Sequence, residues 1–524
     1  MKFTFYLFKK EVKTPEQVFR EGKLNSEDGY VQLLPTNLPV PYQCDAYIQY
    51  ESVTTPNWVK PMGNHFQIDE AKAKNFSNSL VLLIPVEDRM FAVTYGYGHL
   101  AIRKNLLEKD FGIRVVLNEI NPAKIRHVES RDLDTTTRQT LVFSNRDDSI
   151  DRFKFETESD LIRVVGGIPT NLEFIRRFSG SESLHATLDT KIDELFDRCR
   201  ILLESYQKQT YKDNFEFYDN VRVVDDEELV ESLNKNFDQA FNNQKCDEIV
   251  FAVPESILGT DLAEKFTLQV DEQEKSINEI DCEIVFGTLN SFSRHKPKAD
   301  EVNVIVYDAS GKKLCESKLI DYVVFETEYN KSRYILMLGY WHLVDKNYYN
   351  LLTNTVNAIE EINDPNFLPA LAGMEEGYYN IKTAKTKDYV LLDQKPFKLP
   401  GRSSVEICDL LTPNLELICV KIYKGKAAGL GHLFTQGYTS GITLKRYVEC
   451  QTFVDDAILN SGISMNSISG KNTGELTYVL AIATPTKGKL TAGLPFYSKV
   501  HLLKAYRGLR DLGYKVKVYK IPNK

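Results

Sequence analysis

No stretch of this sequence stays apolar for the roughly 20 residues that a helix needs to cross a bilayer; the longest apolar runs, such as Leu80 to Val86, stop well short. The eight cysteines form no CxxC pair, which excludes a zinc ribbon and a dense disulfide framework and predicts reduced, mostly buried thiols. The GxxxxGK[ST], G-x-S-x-G, HExxH and calcium-loop patterns are all missing, so the common phosphate-loop, hydrolase and metalloprotease chemistries are excluded. Tyr95-Gly96-Tyr97-Gly98-His99 carries two glycines but lacks the third that a dinucleotide-binding turn requires, and it reads as a structural turn. Met1 to Lys10 reaches Lys9 and Lys10 before any apolar segment of adequate length. No secretory signal is expected, and the chain reads as cytoplasmic with no membrane partner.

What is present is a long, ordinary globular composition. At 524 residues the chain exceeds the roughly 250 to 300 residues at which one core stops growing, so two or three domains are expected. The net charge of −8 hides an asymmetry: residues 401–524 hold 17 Lys plus Arg against 8 Asp plus Glu, a balance of +9, which leaves 48 against 65, or −17, for residues 1–400. Apolar spacing predicts a helix over Thr187 to Gln209, with Ile192, Leu195, Phe196, Cys199, Leu202, Leu203 and Tyr206 on one face. Strands are expected at Lys2 to Phe8, Ser79 to Pro85 and Met90 to Thr94, followed by a helix-like Leu100 to Lys109. The sequence divides into an N-terminal α+β domain (1–185), an acidic middle α+β domain opened by a helix (186–365) and a basic C-terminal α/β domain (366–524). The fold class is α+β, multidomain, with mixed sheets and flanking helices. Asp364-Pro365-Asn366 marks the second boundary.

The final 38 residues carry ten Lys or Arg and one acid, Asp511. A helix is expected over Lys499 to Leu512, with Ser498 as N-cap and Gly513 beyond its end, and a strand over Tyr514 to Ile521. Lys499, Lys504, Arg507, Lys515 and Lys517 are the candidate nucleic-acid contacts, because ten positive charges facing one negative cannot be neutralised within the segment. Tyr506 and Tyr519 are placed to stack on bases.

A β-hairpin is expected from Ser404 to Leu411 with Glu416 to Tyr423 around Thr412-Pro413-Asn414. Its first strand carries Glu406 and Asp409 and its second Lys421. The following helix, expected from Ala427 to Gln436, presents His432 and Gln436 on one face at i and i+4. Metal-dependent phosphodiester cleavage needs carboxylates to hold Mg2+ and a cation near the attacking water or the phosphate. The spacing resembles the PD-(D/E)xK nuclease core, which implies a restriction-endonuclease-like C-terminal domain. The resemblance makes Asp409, Lys421, Glu406, Gln436 and His432 candidate catalytic residues and Asp409 with Glu376 candidate metal ligands; Glu375 and Asp393 are further carboxylates not fixed by spacing. The position two before the lysine is Cys419, a soft ligand poorly suited to Mg2+. A capped hairpin with surface Glu406 and Lys421 is the non-catalytic reading of the same residues.

Over nearly its full length the chain also resembles an uncharacterised family of sporadically distributed bacterial proteins. The likeness is carried by Phe91 to Gly98, Asp110-Phe111-Gly112-Ile113-Arg114, Gly339-Tyr340-Trp341-His342, Gly377-Tyr378-Tyr379-Asn380, Leu391-Leu392-Asp393, Ser404 to Leu411, Val420-Lys421, His432 to Gly437 and Leu494 to Val500. That family's position near mobile elements and restriction genes implies phage defence. The expected function is antiphage defence, with a C-terminal domain that binds DNA or RNA and cleaves it with Mg2+, and an acidic region that binds a phage or host protein. The alternative is a non-catalytic sensor or scaffold that binds nucleic acid or a phage protein.

Overall fold

A computed structural model describes residues 1–522 except 26–28, 35–39, 57–58, 70, 133–138, 149–159, 247, 252–264, 294–295, 309–310, 312, 399–403, 424–426 and 485–487. It is a mixed α+β protein in two compact units: Met1–Arg131, Gln139–Glu156 and Asp160–Tyr218 make the first, and the second is in the main Asp219–Lys524. Asp364-Pro365-Asn366 lies inside the second unit.

The first unit is one large sheet. Its strands are β1 (Lys2–Leu7), β2 (Val31–Gln32), β3 (Asp45–Thr54), β4 (Asn75–Val86), β5 (Arg89–Tyr95), β6 (Ile120–Asp132), β7 (Gln139–Asp148), β8 (Asp160–Pro169), β9 (Ile175–Gly180) and β10 (Leu184–Leu188), in the order β2-β3-β4-β5-β1-β10-β9-β8-β6-β7. Strand alternation sends Phe3, Phe5 and Leu7 into the main core, with the helices Phe111–Glu119 and Leu195–Gln207 packed on it. Tyr6 and Phe8 enter a second, smaller core. The expected hairpin of β4 and β5 forms, with Glu87 at φ 54° in its turn. Leu100 to Lys109 is not a helix: it takes two short 3-10 turns, Gly98–Leu100 and Lys104–Leu106. The long periodic helix starts at Leu195, because Leu184–Leu188 is already spent on a strand.

The second unit begins with two antiparallel sheets. One has the order β11-β19-β18-β17-β12 and the other β14-β13-β15-β16, from β11 (Val221–Val223), β12 (Ile249–Phe251), β13 (Lys265–Val270), β14 (Gln273–Ile277), β15 (Asn303–Tyr307), β16 (Lys313–Lys318), β17 (Val323–Tyr329), β18 (Ser332–Met337) and β19 (Tyr340–Val344). Asp308-Ala309-Ser310-Gly311 reads in the sequence as a hairpin turn; residues 309 and 310 of it lie outside the described residues. Cys246 and Cys282 are disulfide-bonded, with Cα atoms 5.7 Å apart, which corrects the expectation of reduced thiols throughout; that separation is within the range a bridge needs.

The C-terminal sheet is built of β20 (Val390–Leu391), β21 (Leu410–Leu411), β22 (Glu416–Ile422), β23 (Thr477–Ala483) and β24 (Lys515–Ile521), in that order. β20, β21 and β22 are antiparallel neighbours, whereas β22, β23 and β24 are parallel. β23 is buried at every position, as a strand covered on both faces by crossover helices must be. The helices Ala427–Arg446 and Phe496–Asp511 approach closely because they meet at glycines: a Cβ at Gly508 would fall 2.4 Å from the Tyr438 ring, and one at Gly441 would fall 2.5 Å from Leu509 Cδ2. The last helix begins at Phe496 with Pro495 at its N-cap, so Ser498 lies inside it and is buried rather than capping. Gly513 follows its end at φ 96°, as expected.

Candidate functional site

The candidate residues of the hairpin gather at one end of β22. The helix Glu376–Lys387 opens with Glu376 in its first turn. Glu376 Oε1 accepts from Lys421 Nζ at 2.9 Å and its Oε2 accepts from the Ile422 N–H at 2.9 Å. One carboxylate therefore joins the helix start to the end of the strand. Both side chains are about one third exposed, so the pair is worth little as stability.

Asp409 is the buried member, 7% exposed. It precedes β21, and the pairing of Leu410 with Ile418 sets it opposite Cys419. Its Oδ2 accepts from the Val420 N–H at 2.6 Å, while its carbonyl accepts from the N–H groups of Leu392 and Asp393 at 2.9 and 3.0 Å. Burial pushes the carboxyl up to about 7; the Val420 hydrogen bond opposes this, and the negative charges of Asp393, Glu376 and Glu406 add to it. Desolvation and like charge both disfavour the carboxylate. Asp393 sits against the first turn of the Glu376 helix: a Cβ at Gly377 would lie 3.7 Å from Asp393 Oδ2.

Gln436 donates from Nε2 to Glu406 Oε2 at 3.2 Å, which ties the helix Ala427–Arg446 to the segment leading into β21. His432, one turn earlier, is exposed. The helix is twice as long as its expected ten residues, ending at Arg446. Gly425 and Lys426, just before it, lie outside the described residues. Cys419 is fully buried and its thiol is pushed well above the usual range by burial. A neutral, desolvated thiol does not serve a hard cation.

The arrangement thus brings together Glu376, Asp393, Glu406, Asp409, Lys421 and Gln436. Asp393 is the addition that spacing did not fix; its signal was the Leu391-Leu392-Asp393 segment, which becomes meaningful once β20 pairs with β21. Among the described residues no group of three or more His, Cys, Asp and Glu is placed to hold a metal ion. Mg2+ differs from zinc in this respect, since it keeps several waters and is held by one or two carboxylates together with substrate phosphate oxygens.

The basic C-terminal residues do not form one surface. Lys499 is 2% exposed and donates to Tyr349 Oη at 3.0 Å and Thr353 Oγ1 at 3.3 Å, with its ammonium 4.8 Å from the Tyr349 ring centre. It is a buried strut, because every residue from Phe496 to Leu503 is buried and the first turns of this helix are covered on all sides. Lys517 pairs with Glu360 at 2.6 Å. Tyr519 is buried against Phe367 rather than open to bases. Arg507 and Lys515 are exposed, and Lys504 and Tyr506 are half-buried.

The chain belongs to the family described as "Family of unknown function (DUF6119)", whose profile matches residues 3–522. Comparison with curated proteins and with solved structures finds no match.

Proposed function

We propose that in this member of the family residues 366–524 form a Mg2+-dependent nuclease acting on DNA or RNA. The observation that carries the reading is the buried Asp409, its Oδ2 on the Val420 N–H of the strand that bears Lys421 and its carboxyl raised first by burial and then by the charges of Asp393, Glu376 and Glu406. The order of elements supports it: a helix with an acid in its first turn, three antiparallel strands, two helices (Ala427–Arg446 and Val448–Ser461), then a parallel strand. That is the order of the PD-(D/E)xK core which the hairpin resembles. Asp409 with Glu376 or Asp393 would hold the metal, and bound Mg2+ supplies charge stabilisation at the phosphate and a more acidic water. Lys421, released from or shared with Glu376, steadies the phosphate. Gln436 orients Glu406 beside the substrate. His432 is left to outer contacts with the nucleic acid.

The resemblance to sporadically distributed bacterial proteins extends the proposal to antiphage defence. Incubating the protein with DNA and RNA, with Mg2+ or with EDTA, tests the chemistry. Cleavage that needs Mg2+ and disappears in Asp409→Asn and Lys421→Ala is the expected result. If nothing is cut, or both variants cut as well as wild type, the nuclease reading is lost. A second reading, a non-catalytic binding module, draws on the neutral Cys419 beside Lys421; it predicts salt-dependent binding without cleavage. Phage plating on cells that carry wild type or Asp409→Asn tests the defence role.

A further inference from the structure

We propose that the open face of the N-terminal sheet is a binding site for a small organic phosphate of nucleotide size. Strand alternation builds its floor. Register sets Thr4 of β1 between Thr94 of β5 and His185 of β10, and His185 opposite Ser179 of β9. The row ends at His127 of β6, whose Nε2 lies 2.9 Å from Ser179 Oγ. Two residues along the strands, Lys2, Thr187 and Arg177 make a second row. The opposite face of the same strands is the main apolar core, so these polar positions are the ones left to face outward.

The rows line a cavity of about 710 Å³, within the range of small-molecule pockets, about 300 to 1,000 Å³. A second cavity of about 590 Å³ shares His127 and Arg177 with it and adds Arg126. Neither is lined by any aspartate or glutamate among the described residues, although acids outnumber bases 65 to 48 over residues 1–400. Glu129 and Glu182 act on His127 and Tyr6 from beyond the lining. A merely solvated strand face would mix the two signs.

The chemistry favours phosphate. Arg177 offers a planar fork that matches phosphate oxygens two at a time, Lys2 a compact charge, and Thr4, Ser179 and Thr187 hydroxyl donors. Space for the His127 ring is made by Gly166, where a Cβ would fall 2.2 Å from His127 Cε1. The imidazoles do not converge on a metal: His185 Nδ1 is 3.1 Å from Thr4 Oγ1 and its Nε2 3.3 Å from Ser183 Oγ, and no metal-holding group occurs among the described residues. An inorganic phosphate alone would fill only a small part of the volume.

The test is calorimetric titration of the full chain, without Mg2+ and in the Asp409→Asn form, with AMP, GMP, ATP, GTP and pyrophosphate in turn. The Asp409→Asn background keeps this test separate from the fate of the nuclease reading. A nucleotide binding one to one in the micromolar range is expected. Replacing exposed Lys2 and Arg177 together by Ala should weaken it at least about tenfold, equivalent to about 1.4 kcal/mol, with the melting temperature of the unliganded protein unchanged. Three results overturn the proposal: no nucleotide binds at millimolar concentration, pyrophosphate binds as tightly as the best nucleotide, or the double variant binds as wild type does.

Discussion

The two sheets at the ends of this chain gather side chains of different charge. The N-terminal sheet lies in the part of the sequence with a balance of −17, yet its outward floor presents Lys2, Arg177 and histidines and no acid. The C-terminal sheet is built mainly from the part with +9, yet its Asp409 feels the charges of Glu406 and of Glu376 and Asp393 from just before that part, and Glu376 pairs with Lys421. Regional charge sets the long-range field that steers a charged partner toward the molecule. A site is decided by the few residues that register and helix phase bring together. Under the proposed nuclease reading, exposed cations such as Arg507 and Lys515 would attract a polyanion and the carboxylates near Lys421 would hold the cation that its phosphate meets.

The sharpest way to break this comparison is to remove the buried acid. Asp409→Asn should lower Mg2+-dependent cleavage by about 10²-fold or more, the scale of losing one preorganised electrostatic group. The same substitution should change the pH dependence of folding in a calculable direction. An unfolded aspartate titrates near about 3.9, and folded Asp409 is raised to about 7. Between those values the folded state holds the extra proton, so stability falls as pH rises from about 4 to about 7. Thermal unfolding across that interval should show the slope in wild type and flatten in Asp409→Asn. Cleavage by wild type should rise through about pH 7 as the carboxylate forms. Mg2+ above that pH should raise the melting temperature of wild type more than that of the variant; equal shifts would place the metal elsewhere.

Next in size is the coupling of Glu376 and Lys421. Lys421→Ala and Glu376→Gln should each reduce cleavage, by about 10-fold or more, and the double variant should lose less than the product of the two, because touching groups are not additive. Strict additivity would mean that the 2.9 Å ion pair is incidental to the chemistry. Stability should move little in either variant, since the pair is partly exposed.

Much of the C-terminal site was legible in the sequence because its signals are local. Asp409 and Lys421 lie on the two arms of one turn, although the first arm is a strand only at Leu410–Leu411 and not from Ser404 as expected, and Glu406 reaches Gln436 of the following helix. Asp393 and the Val420 N–H were hidden, since β20 has only two residues and its pairing with β21 joins positions about 20 apart. The nucleic-acid face failed at Lys499 for a different reason. Periodicity marked one buried stripe, but the helix opens at Phe496 rather than Lys499 and all of its residues from Phe496 to Leu503 are buried, so no face of its first turns is left open. The N-terminal floor was unreadable in advance: Lys2, Thr94, Arg177 and His185 become neighbours only through antiparallel pairing of strands up to 185 residues apart.

The smallest expected effect separates steering from struts within the basic segment. Arg507→Glu with Lys515→Glu removes two exposed cations, and nucleic-acid affinity should fall roughly tenfold at low salt. The slope of log affinity against log salt should shrink by about 0.9 for each phosphate that is no longer neutralised. Lys499→Met keeps the length of a buried side chain while removing its charge, so affinity and salt slope should stay at wild-type values although Tyr349 and Thr353 no longer receive its hydrogen bonds. Its cost should appear instead in the melting temperature, as about 1 to 3 kcal/mol for an unmade buried hydrogen-bond set. Lys517→Met should fall between the two, because Glu360 already holds that ammonium at 2.6 Å. A salt slope that responded to Lys499→Met as strongly as to the exposed pair would show that the last helix turns outward when nucleic acid binds, and that positive charge in this segment acts as a reserve rather than as a fixed surface.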